Sequence, residues 1–155
     1  MPRRSIAHRS PWEDRFTTPT TESLFEAIED DDIVDLARVL RGGLEDDFGL
    51  TERLEWCGVP WKWSLTYRSG RAASADIIAY LVPNPQTPTV VFRLTHQQFG
   101  TLPLRKLSRH IRDGLAPTRL VAGVCWPEWK FQSANQVQDL VRLFGLLHAA
   151  TPSRV

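Results

Sequence analysis

The chain predicts an α+β fold: a mainly antiparallel sheet in a single domain, with helices packed on one face. Three observations carry this. Apolar residues recur at helical spacing over 24–40, alternate with polar ones from Leu54 onward, and return to helical spacing after Ser133. Three strand-like runs follow one another with short connections, which favours an antiparallel meander. The order of helices, strands, helix, short strands and helix places helices against one sheet.

Residues 1–18 are polar, basic and proline-punctuated, and read as a mobile or loosely docked arm ahead of a domain at 19–150 and a tail at 151–155. The first helix begins in "TPTTESLFEAIEDDD", where Ser23 and Glu26 fit a capping box and Leu24, Phe25 and Ile28 form an apolar face. Asp30, Asp31 and Asp32 interrupt that period and offer caps for a second helix on Ile33, Leu36, Ala37 and Leu40. "RGG" at 41–43 is expected to end it, although the pattern resumes in "LEDDFGL" and leaves a later boundary open.

In "WKWSLTYR" the alternation puts Trp61, Trp63, Leu65 and Tyr67 on one face and Lys62, Ser64, Thr66 and Arg68 on the other. A turn at 68–71, a strand at 75–82, the rigid loop "PNPQTP" and a strand at 89–95 continue the meander. A helix is expected over 103–113, with Pro103 in its first turn, Leu104, Leu107 and Ile111 inward, and Gly114 as its stop. "RLVAGVCW" at 119–126 has strand character. The last helix is the clearest: Ser133 and Gln136 cap it, and Val137, Leu140, Val141, Phe144, Leu147 and His148 follow at helical spacing.

The bulk composition narrows the function. A length of 155 residues buries a substantial core without metals or disulfides. A net charge of +1 supplies no field for DNA or an anionic membrane, so neither nucleic acid nor membrane is an expected partner. The N-terminus has arginines but no apolar signal region, and a cytoplasmic location is the default. Cys57 and Cys125 fit neither a CxxC nor a zinc-ligand spacing and read as ordinary thiols, each beside a tryptophan cluster. No GxSxG, HExxH, Walker or GxGxxG motif occurs, so no catalytic constellation is read.

Three features remain as candidate sites. "VPWKWSLTYR" and "CWPEWKFQS" hold four of the six tryptophans, each cluster with a lysine. They read as core between sheet and helices, or as an aromatic pocket with charge at its mouth. The candidate ligand-binding residues are Trp61, Trp63, Tyr67, Arg68, Trp126, Trp129 and Lys130. Trp126 and Trp129 straddle Pro127, so one of the two is expected to be an exposed ring. Ten of the eighteen acids lie between Glu22 and Asp47. They read as a solvated helix face or as loose carboxylate ligands for a hard cation such as iron(II), with Glu26, Glu29, Asp30, Asp31 and Asp32 as the weak candidate metal set. Arg105, Lys106, Arg109, His110 and Arg112 surround an apolar stripe and read as a solvated face, or as a surface for phosphates or for the acidic segment of a second copy in a homodimer.

The run "LEWCGVPWKWSLTYRSGR" to Phe92, with the ending "WPEWKFQSANQVQDLVRLF", resembles a small bacterial group of domains of unknown function related to YdhG-like domains. The likeness spans roughly residues 20–148 and rests on Trp61, Trp63, Pro83 and the Trp129 segment. It implies helices on an antiparallel sheet. Some YdhG-like domains are described as frataxin-like iron chaperones, which would give the acidic segment a role in iron(II) binding. The leading expectation is a non-enzymatic binding module that takes a small molecule or protein on its Trp-rich face. Iron chaperone and interaction protein are the alternatives.

Overall fold

The computed structural model describes residues 10–46, 50–70 and 75–149, and the architecture is α+β. Helix α1 (Thr21–Glu26) and helix α2 (Asp31–Asp46) lead into strands β1 (Thr51–Trp56), β2 (Trp63–Arg68), β3 (Ile77–Val82) and β4 (Thr89–Phe92). Two-residue β5 (Leu94–Thr95), helix α3 (His96–Thr101), helix α4 (Arg109–Leu115), β6 (Val124–Cys125), β7 (Glu128–Lys130) and helix α5 (Ala134–Ala149) complete the chain. The main sheet runs β1-β2-β3-β4-β7, antiparallel throughout, and β5 pairs with β6.

The register sorts the sheet into two faces. Leu54, Leu65, Leu81, Val90 and Trp129 stand opposite one another across five strands, as do Glu52, Tyr67, Ala79 and Phe92 on four. Successive residues point to opposite faces, so these two rows share the inner face. There they pack with Ala37, Leu40 and Leu44 of α2, Ile111 and Leu115 of α4, and Val137, Leu140 and Phe144 of α5. The inner face carries one acid, Glu52. Arg41 of α2 holds it bidentately at 2.9 and 2.7 Å, and the Tyr67 hydroxyl donates to it at 2.9 Å. These contacts pair a largely buried carboxylate on both oxygens.

Several boundaries differ from the sequence expectation. The first capping box belongs to Thr20 with Ser23, one turn ahead of Ser23 with Glu26. The second helix passes through Gly42 and Gly43 because α5 needs the space: a Cβ at Gly43 would lie 2.8 Å from Val141 Cγ2. Gly43 therefore serves close helix packing and not a stop. β1 was not foreseen as a strand, since Glu52, Arg53 and Glu55 mask its period. The expected helix at 103–113 is a 3-10 turn at Leu104–Lys106 and then α4, capped by Ser108 at 3.3 Å. Leu104 is exposed, and α4 runs through Gly114 to Leu115. α3, capped by Thr95 and Gln98, was not foreseen.

The strand expected at 119–126 is mostly a tight turn. Ala122 and Gly123 both have positive φ, and Val121 and Val124 exchange backbone hydrogen bonds at 2.8 and 3.1 Å. This is the geometry of a primed hairpin turn, ahead of the short β6. The closing helix is as expected, with Ser133 accepting from the Gln136 N–H at 3.2 Å. The His148 side chain, residues 1–9, Arg71 and the tail at 151–155 lie outside the described residues.

Part of the expected arm is docked. Pro11–Glu13 forms a 3-10 turn with Trp12 buried. Two indoles fasten it to the β1–β2 loop: Trp12 Nε1 donates to the Trp61 carbonyl at 3.0 Å, and Trp63 Nε1 donates to the Asp14 carbonyl at 2.7 Å. Lys62 Nζ lies 4.7 Å from the centre of the Trp12 ring.

Candidate functional site

The outer face of the sheet brings together residues that the inner face leaves aside. Arg53, Thr66, Tyr80, Val91 and Glu128 form one row across it, and Glu55 pairs with Ser64 in the next. Ser64, Thr66 and Arg68 are almost fully buried although polar. Burial of such groups requires hydrogen bonds. Arg68 Nη1 binds the Glu55 carboxylate on β1 and also donates to Thr66 Oγ1 at 2.9 Å. The Thr66 hydroxyl donates in turn to Glu55, and Ser64 Oγ donates to the Trp61 carbonyl at 2.9 Å. One donor is left over. Arg68 Nε is buried with no acceptor among the described residues.

A row of rings adjoins this polar cluster through Tyr80, the cross-strand neighbour of Thr66. Trp61 and Tyr80 have centroids 4.7 Å apart at 52°, and Tyr80 and Trp126 are 5.7 Å apart at 58°. Trp126 is the exposed ring of its cluster, 38 % accessible. Trp129 is 3 % accessible, and its Nε1 donates to the Ile111 carbonyl at 3.1 Å.

The candidate residues therefore divide. Trp61, Arg68 and Trp126 converge on the outer face. Tyr67 and Trp129 turn away from it into the inner core, and Trp63 sits between the two, bonded to Asp14 and packed with Trp12, Leu24, Val82 and Val91 beside Trp61 and Tyr80. The expected shared face of Trp61 and Trp63 is not observed. Trp61 precedes β2, in a loop that holds a cis Val59–Pro60 bond, and Lys62 has φ +54°, so the alternation starts only at Trp63. Lys130 falls on the outer side of β7, next to Trp129, and is exposed at the far edge. Sequence reading missed Glu55, Ser64, Thr66 and Tyr80 as site residues. The signal was present in the polar side of "WKWSLTYR", which a solvent-facing strand also shows.

Four titratable groups of the site are shifted by their surroundings. The Arg68 hydrogen bond holds the Glu55 carboxyl below its usual value, and Glu55 raises Arg68. Burial pushes the Cys57 thiol up to about 11, with the Glu55 charge adding to it. Burial also raises Tyr80. Cys125, by contrast, belongs to the inner core beside Leu94, and burial raises it too.

The acidic segment is a separate surface. Glu26, Glu29, Asp30, Asp31 and Asp32 are all exposed. Asp30 Oδ1 accepts from the Asp32 N–H at 2.9 Å at the start of α2, which gives it the expected capping role. Among the described residues, no three His, Cys, Asp or Glu side chains group so as to hold a metal ion. No helix among them is long and apolar enough to cross a membrane.

No protein-family model, curated protein or solved structure matches the chain.

Proposed function

We propose that this protein is a non-enzymatic binding module, and that its ligand lies on the outer face of the sheet against Trp61, Tyr80 and Trp126. The observation that carries the reading is the pairing of three adjoining rings with a buried, hydrogen-bonded polar cluster that has one donor, Arg68 Nε, unfilled. Apolar walls with a few fixed polar groups are the usual build of a small-molecule site. Because Glu55 neutralises Arg68, the cluster favours a planar, uncharged ligand with an acceptor oxygen over a strong anion.

The state of the titratable groups supports binding without chemistry. A general acid or base works best with a pKa near the working pH. Here Cys57 and Tyr80 are pushed up and Glu55 is held down, each away from neutrality. The thiol is therefore not a ready nucleophile.

The test is a screen of planar heterocyclic amides and lactones by ligand-observed NMR against the unaltered chain and Trp126→Ala. Binding that weakens about tenfold in the variant supports the reading, in line with the ~0.5–1.5 kcal/mol of a ring contact beyond its area term. Hits that bind both chains equally would refute it.

A further inference from the structure

Residues 61–63 clasp the chain ahead of α1, each through its own contact. The Trp61 carbonyl accepts from Trp12 Nε1 at 3.0 Å. Lys62 Nζ lies 4.7 Å from the centre of the Trp12 ring and 3.8 Å from Glu13 Oε2. Trp63 Nε1 donates to the Asp14 carbonyl at 2.7 Å. The clasp seats the Trp12 ring against the sheet. Trp12 is 6 % accessible and packs with Leu24, Trp63, Val82 and Val91, in the cluster that Trp61 and Tyr80 also join. Val91 stands beside Tyr80 in the outer row, so the indole lies on the outer face next to the row of rings.

The strand pairs of β1 and β2 end at Trp56 with Trp63, and Trp61 lies beyond them. Its carbonyl accepts twice, from Trp12 Nε1 and from Ser64 Oγ at 2.9 Å, which uses both lone pairs. Ser64 belongs to the buried polar cluster and Trp12 to the N-terminal turn. One peptide group therefore links the turn, the polar cluster and the first ring of the row.

We infer, on the reading of the outer face as the ligand site, that Trp12 is a positioning residue for that site: its N–H and its ring hold Trp61 against Tyr80, so the row is set before a ligand arrives. Trp12 itself need not touch the ligand. A ring already held in place loses less freedom on binding, an advantage of about threefold to tenfold in affinity for one such side chain.

Trp12→Phe separates the donor from the bulk, because phenylalanine keeps a ring beside Lys62 and has no N–H. Trp12→Ala removes both. In NMR spectra of the ligand-free Trp12→Phe chain, the NOEs between the Trp61 and Tyr80 rings should weaken. The Tyr80 ring-proton shifts should move toward their unperturbed values, and further in Trp12→Ala. A segment that only adds stability would lower the urea midpoint and leave these native-state signals alone. The planar amides and lactones of the screen should bind Trp12→Phe about threefold to tenfold more weakly than the parent. Parent-like ring signals in Trp12→Phe overturn the positioning role, whatever its stability. So does binding as tight as the parent's once those signals have changed. Should no screened compound bind the unaltered chain, the ligand reading of the face falls, and the ring signals alone decide whether Trp12 sets Trp61.

Discussion

Arg68 on β2 is buried against the carboxylate of Glu55 on β1, and the same carboxylate accepts from Thr66 between them. Glu55 is about a third exposed, 35 %, while the Arg68 side chain is only 8 %. The asymmetry sets the consequence of cutting the pair. Glu55→Gln leaves a buried guanidinium without its counter-charge, the more damaging half of such an exchange. With Glu55 partly solvated, the loss should be about 1–3 kcal/mol, read as a lower urea midpoint at unchanged slope. A loss no larger than that of an exposed pair such as Arg142 with Asp139 would show that solvent already screens the contact.

The same pair gives the acid limb of stability its sign. Arg68 holds the folded Glu55 carboxyl below its ordinary value, so the unfolded chain takes up that proton at a higher pH. The contribution is full above the ordinary carboxylate range, about 4.3. It is lost as pH falls through the depressed folded value. Denaturant midpoints measured across that range should decline more steeply in the parent than in Glu55→Gln.

On the alkaline side the sign reverses. The Cys57 thiol sits at about 11 when folded, through burial and then Glu55. Its contribution is intact below the ordinary thiol value of about 8.5 and is lost as pH rises toward the folded value. Cys57→Ser should therefore flatten the first part of the alkaline decline. Tyr67, raised well above its usual value by burial and by Glu52, should leave the later part in place.

Gly114 has no room for a side chain. A Cβ there would lie 2.0 Å from Trp129 Nε1, whose ring is fixed by its bond to Ile111. Gly114→Ala should cost more than about 3 kcal/mol, at the upper end of overpacking effects. Trp129→Ala should cost a similar ~3–5 kcal/mol by emptying the core, and Trp126→Ala only about 1 kcal/mol. Thermal unfolding of the three variants checks the order. Equal losses for the two tryptophans would contradict the division of the clusters.

The elements with an unbroken apolar period were legible in the sequence: α5, β2 to β4, and the antiparallel order. Where chemistry interrupts the period, legibility failed. β1 carries Glu52 inward because Arg41 and Tyr67 satisfy it, a partnership that spans elements and leaves no local trace. Gly43 and Gly114 resemble helix stops yet serve close packing against Val141 and Trp129, residues distant in sequence. The outer site was half legible. Trp61, Arg68 and Trp126 stood out by residue type, whereas Glu55, Thr66 and Tyr80 join them only through strand register. Lys62 with its positive φ parted Trp61 from Trp63, and no alternation rule anticipates a single left-handed residue.

The indole N–H resonances of the tryptophans report on the central claim most directly. Trp12, Trp63 and Trp129 each donate to a backbone carbonyl, whereas Trp61 and Trp126 stand in the ring row of the outer face. During titration of the chain with a binder from the NMR screen, the account predicts progressive shifts of the Trp61 and Trp126 indoles, with those of Trp63 and Trp129 unmoved. Shifts confined to Trp63 and Trp129, or binding that leaves Trp61 and Trp126 unchanged, would contradict the assignment of the outer face as the binding site.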